Sequence, residues 1–130
     1  MMTKLEILLL VEDDDAEAQH AINVIRAVSA NIAITRQKIS SEALEYLRQV
    51  HQPPQLIVFD LGTPDNTDGI QFIRKMRTID KLKPVPIVVM TGNPVEVAQA
   101  HAADIAAGYI VKPVEVAKFR EQLDKLGFTT

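Results

Sequence analysis

The sequence contains no cysteine, which excludes disulfides and thiolate metal sites and permits a reducing compartment without establishing one. It has no excess of positive charge. The net charge of -3 argues against nucleic acid as a direct ligand, because binding a phosphate backbone needs a basic surface. No apolar run approaches the roughly 20 residues that a membrane-spanning helix requires. The opening MMTKLE lacks the apolar region of a signal peptide. A cytoplasmic location without membrane insertion is the expectation. Internal repeats, low-complexity segments and linkers rich in proline, glycine and serine are missing as well. The 130 residues therefore read as one domain, 1–130, with no output domain. A chain of that size removes roughly two-thirds of its unfolded surface from water, enough for a proper core.

What is present is an alternation. KLEILLLV reads as a strand apolar on both faces, the mark of a parallel strand covered on each side. From about Asp15 to Val28, Ala18, Ala21, Ile22 and Ile25 fall at helical spacing. NIAITRQ is a short strand. SSEALEYLRQV is a helix, with Ser40 or Ser41 as N-cap and Ala43, Leu44 and Leu47 as its apolar stripe. PPQLIVFD is again a strand. Asp68-Gly69 then precedes a helix, IQFIRKMRTI, and VPIVVMT is the fourth strand. Pro94 opens a fourth helical pattern, where its missing N–H does no harm. GYIVK is the fifth strand, and a closing helix ends near Gly127. Five strands and five helices in strict alternation predict a parallel α/β sheet with helices on both faces and right-handed crossovers. Ligands of such sheets bind at the carboxyl ends of the strands.

Those ends carry unusual chemistry. Strand one ends in Glu12-Asp13-Asp14, strand three in Asp60, strand four in Thr91-Gly92 and strand five in Lys112-Pro113. Strand two ends in nothing chemically distinctive. Clustered carboxylates suit a hard divalent cation, Mg²⁺ or Mn²⁺. Asp60 is placed to act as a nucleophile that forms an acyl phosphate, with Lys112 neutralising charge on the moving oxygens and Thr91 hydrogen-bonding one of them. Each residue also has a plainer reading. Asp14 and Asp15 fit equally well as charge favoured at a helix start. Asp60 fits a loop cap, Lys112 a solvated lysine and Thr91 an ordinary strand residue. Their coincidence at strand ends favours a site. His20, His51 and His101 share no metal-ligand spacing and read as surface or boundary structure.

With these residues in place, the chain resembles the receiver domain of two-component response regulators. The resemblance runs from ILLLVEDDDAEA through LIVFDLGTPDNTDG and VPIVVMTGN to GYIVKPV, and SSEALEYLRQ fits the family's second helix. It implies a flavodoxin-like doubly wound sheet of five parallel strands in the order 2-1-3-4-5. Asp60 would take a phosphoryl group from a phosphohistidine of a sensor histidine kinase or histidine phosphotransfer protein. Glu12, Asp13, Asp60 and the backbone carbonyl of Gly62 would hold Mg²⁺. Lys112 would pair with the phosphoryl oxygens, and its bond to Pro113 would be cis. Thr91 and Tyr109 would form the switch. The face of the fourth helix, fifth strand and closing helix would change its partner preference, and a homodimer through that face is left open. The chain would catalyse only its own phosphorylation and dephosphorylation.

Two departures from the family pattern stand out. The segment PDNTDG is one residue longer than usual after Pro64, and Ile105 stands where glycine is usual. At the positions two residues beyond Asp60 and Thr91, Asn93 and not Gly62 is expected to set the lifetime of phospho-Asp60. Two other functions compete. The first is a degenerate receiver that binds proteins without phosphorylation. The second is a Mg²⁺-dependent phosphatase with an aspartate nucleophile, suggested by DLGTPD; Gly62 occupies the place of its required second carboxyl. Dinucleotide or flavodoxin-type ligand binding is excluded, because four acids after the first strand repel phosphate unless a metal intervenes.

Overall fold

The computed structural model describes residues 2–61, 66–92, 94–95 and 105–130. Its strands are β1 (Thr3–Lys4), β2 (Ile7–Val11), β3 (Ala33–Gln37), β4 (Leu56–Asp60), β5 (Ile87–Thr91), β6 (Gly108–Val111) and β7 (Phe128–Thr129). Its α-helices among the described residues are α1 (Asp15–Val28), α2 (Ser40–Gln49), α3 (Asn66–Arg77) and α4 (Val116–Leu126), with a 3-10 turn at Asp80–Leu82. A five-stranded parallel sheet runs in the order β3-β2-β4-β5-β6, the order expected for the five main strands. Of the helical stretch expected from Pro94 to residue 107, residues 94–95 and 105–107 fall within the described residues; the first two are helical and the last three are not. His101 lies outside them.

Because successive strand residues point to opposite faces, strands apolar at every position build two cores. Leu8, Leu10, Val58, Val88, Met90 and Ile110 pack with Ala18, Ala21 and Ile25 of α1 and Phe119 and Leu123 of α4. Leu9, Val11, Ile57, Phe59, Ile87 and Val89 pack on the other face with Leu47 of α2 and Phe72, Ile73 and Met76 of α3. Phe59 and Phe72 stack with ring centroids 4.8 Å apart. Ile105 is half-buried against the α2/α3 core, so its side chain has a place there that glycine would leave unfilled.

The structure corrects three local expectations. KLEILLLV is two strands, not one: β1 breaks away from the main sheet and pairs in parallel with β7, Thr3 opposite Phe128 and Lys4 opposite Thr129. The Gln55 side chain takes the place of a ladder partner at the break. Its Oε1 accepts from the N–H groups of Glu6 (2.6 Å) and Ile7 (3.1 Å), and its Nε2 donates to the Lys4 carbonyl at 3.0 Å. Gly127, at φ +81°, reverses the chain from α4 into β7. The second correction concerns α2, whose N-cap is Ile39 in extended backbone with no side-chain cap; Ser40 and Ser41 lie inside the first turn. The third is that α3 starts at Asn66, so Asp68-Gly69 lies within the helix and does not precede it. Asn66, Thr67 and Asp68 carry no apolar residue, so periodicity cannot mark that turn.

Candidate functional site

The same alternation that builds the core assembles the site. Glu12 lies two residues beyond Leu10, Asp60 two beyond Val58 and Lys112 two beyond Ile110, all on the α1/α4 side of the sheet. The register completes the convergence: Val11 pairs with Phe59, which sets Glu12 beside Asp60, and Asp60 pairs with Met90. Backbone bonding continues past the strand ends, with Glu12 N–H on the Gln37 carbonyl (3.0 Å) and Lys112 N–H on the Thr91 carbonyl (2.8 Å). The three functional side chains are thus carried on sheet backbone and not on loose loops.

Glu12 is 1% exposed, Asp60 4% and Thr91 0%. The Lys112 ammonium stands 3.0 Å from Asp60 Oδ2 and 3.1 Å from Glu12 Oε1. Carboxylate oxygens of Glu12, Asp13 and Asp60 lie within 4.8 Å of one another, a spacing that one cation can bridge. Burial, reinforced by the neighbouring Asp60 carboxyl, pushes Glu12 up to about 8, against the opposing pull of Lys112. Burial works against the charge on Lys112, yet the carboxylates of Asp60 and Glu12 prevail and hold its pKa above the usual lysine value. The Lys112-Pro113 bond is cis, as the resemblance implies. Tyr109 is exposed on β6. Gly62 and Asn93 lie outside the described residues.

Asp14 is the N-cap of α1: its Oδ1 accepts from the Glu17 N–H at 2.8 Å. Asp15, in the first turn, is paired away from the cluster. Arg36 Nη1 meets its Oδ1 at 2.7 Å and Lys38 Nζ at 3.4 Å, and the Arg36 guanidinium foremost holds the Asp15 carboxyl below the usual range. His20 is exposed, with Nε2 2.9 Å from the Val114 carbonyl.

Two residues escaped the sequence reading. Strand β3 does deliver something to the site: Arg36 Nε and Nη2 donate to the backbone carbonyl of Glu12 at 3.1 and 2.9 Å. That guanidinium clamps the bend from which Asp13 projects. A guanidinium that acts on a backbone carbonyl leaves no residue-type signature at its target; the usable signal was a cation on the strand beside an acidic strand end. The second is Glu17, whose Oε1 is 3.2 Å from Lys112 Nζ.

The chain belongs to the response regulator receiver domain family, whose model matches residues 8–124. It is similar to the probable methanogenesis regulatory protein FilR2 of Methanothrix harundinacea, 24% identical over 127 residues that cover 92% of this chain and 80% of that protein. It is also similar to the KDP operon transcriptional regulatory protein KdpE of Escherichia coli, 29% identical over 89% of this chain. There the chain spans only 48% of the relative's length. Among solved structures it resembles the bacteriophytochrome response regulator RtBRR, with a TM-score of 0.84, 24% identity, and coverage of 95% of this chain and 78% of that one. Among the described residues no helix is long and apolar enough to cross a membrane.

Proposed function

We propose that the chain is a phosphoaccepting receiver in which Asp60 takes a phosphoryl group from a phosphohistidine of a sensor histidine kinase or histidine phosphotransfer protein. One Asp60 carboxylate oxygen attacks phosphorus in line with the P–N bond. The P–O bond forms, the P–N bond breaks, and the imidazole leaves with the electron pair and picks up a proton. The observation that carries this reading is the Lys112 ammonium 3.0 Å from Asp60 Oδ2, in place to neutralise charge that develops on the transferring oxygens.

Glu12, Asp13 and Asp60 offer only hard carboxylate oxygens, within 4.8 Å of one another, and fit Mg²⁺ or Mn²⁺. The Gly62 carbonyl is the further ligand that the family resemblance implies. When bound, the cation supplies additional neutralisation of the phosphoryl oxygens. Thr91 then donates its hydroxyl to a phosphoryl oxygen, and Tyr109 follows it inward. The surface of β6 and α4 changes its partner preference by a population shift between two states. The receiver acts by changing which proteins that face binds, and a second copy of the chain is one candidate partner.

The test is intact mass after incubation with Mg²⁺ and acetyl phosphate. The wild type gains one phosphoryl group and Asp60→Asn gains none. A folded wild type that gains none would leave the chain as a phosphorylation-independent binding module.

A further inference from the structure

The lysine that faces the phosphoacceptor is held by three carboxylates, not two. Lys112 Nζ lies 3.0 Å from Asp60, 3.1 Å from Glu12 and 3.2 Å from Glu17. An ammonium has three N–H donors, and one of them is donated to Glu12 Oε1 at 3.1 Å. The three partners differ in setting. Glu12 and Asp60 are buried, whereas the Glu17 side chain is 51% exposed. Glu17 also lines an open cavity of about 430 Å³ together with Ala16, His20, Lys112, Pro113 and Val114. It therefore stands where Lys112 meets solvent, and its carboxylate oxygen is no farther from that of Asp60 than the sum of two contacts to one nitrogen.

We infer that Glu17 is a specificity-determining residue: a fixed negative charge at the mouth of the site that discriminates between phosphodonors by their charge. This inference rests on the phosphoacceptor reading of Asp60. A donor that brings its phosphoryl group to Asp60 brings it within range of the Glu17 charge, since both carboxylates meet the same ammonium, and a dianionic donor is repelled more than a monoanionic one. The same carboxylate competes for Lys112. When Lys112 turns to a phosphoryl oxygen, the half-exposed Glu17 is the partner that water can replace most readily. Glu17→Gln keeps the size and an acceptor oxygen and removes the charge.

The experiment measures the phosphorylation rate of the wild type and Glu17→Gln by intact mass in Mg²⁺, with acetyl phosphate, a dianion, and phosphoramidate, which carries about one net negative charge. The expected result is an acetyl phosphate rate about fivefold higher in Glu17→Gln, a smaller rise with phosphoramidate, and a gain that shrinks as salt is added. Glu17→Asp, which keeps the charge near the mouth, retains the wild-type ratio of the two rates. A ratio unchanged in Glu17→Gln, whether both rates rise together or neither moves, overturns the inference while phosphorylation of Asp60 itself stands. A wild type phosphorylated by neither donor, matching Asp60→Asn, defeats the phosphoacceptor reading and this inference with it.

Discussion

Arg36→Met tests whether the guanidinium on the neighbouring strand organises the acidic bend. The substitution keeps an unbranched apolar stem and removes every donor. What is lost at the site are two hydrogen bonds, 3.1 and 2.9 Å long, that converge on the Glu12 carbonyl. Because they share one acceptor, the loss counts as one carbonyl left without its charged partner, about 1–2 kcal/mol of stability. The bridge to Asp15 adds little, since that carboxylate is exposed and screened. The larger effect falls on cation binding. Groups that orient a metal's ligands typically change its affinity by about 10-fold or more, and about tenfold is expected here because Asp13 projects from the bend that Arg36 holds. Titration calorimetry with Mg²⁺ measures the affinity, and urea unfolding without metal measures the stability. Asp15→Asn serves as the control: it spares the contacts to the carbonyl, so its Mg²⁺ affinity stays within about twofold of wild type. If Arg36→Met loses stability while its Mg²⁺ affinity also stays within about twofold, the guanidinium only braces the fold, and the argument that it positions Asp13 is refuted.

Other perturbations follow from the same geometry. Mg²⁺ at ten times its Kd stabilises the wild type by about 1.4 kcal/mol, a rise of a few degrees in Tm by scanning calorimetry, and Asp13→Asn abolishes that rise at the same concentration. Gly108→Ala places a Cβ on Gln122 Oε1 and 3.2 Å from its Cδ, so the end of the Gln122 side chain must move; a loss of about 1 kcal/mol in urea unfolding is expected, and restored stability in Gly108→Ala combined with Gln122→Ala checks the cause. Phe119→Ala empties a fully buried position of the α1/α4 core and costs about 3–5 kcal/mol by chemical denaturation.

The fold was legible because the strands declare themselves. Ile7–Val11 is apolar throughout, Leu56–Asp60 and Ile87–Thr91 are apolar at every position but their last, and only a sheet covered on both faces buries both sets of side chains. The N-terminal break was not legible, since it depends on the Gln55 side chain bonding backbone 48 and 49 residues away. The site was legible where residue type is itself informative: carboxylates and an amine at strand ends that otherwise run apolar. It was opaque where the partner is generic. Glu17 in the first turn of α1 looks like any acid that favours a helix start, and nothing local says that its carboxylate reaches an ammonium 95 residues along the chain.

The charge count separates this cluster from a merely structural ion network. Glu12, Asp60 and Glu17 meet the ammonium of Lys112, and Asp13 lies beside Glu12 and Asp60. A network that served only stability would pair its charges, because an unpaired buried charge is destabilising. Here Arg36, the nearby guanidinium, turns its donors to the Glu12 carbonyl and to Asp15. Burial first, and then the Asp60 carboxyl, raise Glu12 to about 8 against the pull of Lys112. Carboxylate oxygens of Glu12, Asp13 and Asp60 within 4.8 Å of one another are the hard donors that a divalent cation takes. The two-sided core lets the domain tolerate that imbalance: the strands that carry Glu12 and Asp60 are fixed by Leu8, Leu9, Leu10, Ile57 and Val58, all essentially inaccessible to water. The backbone that carries Glu12 and Asp60 is therefore held in one arrangement by the core on both faces of the sheet.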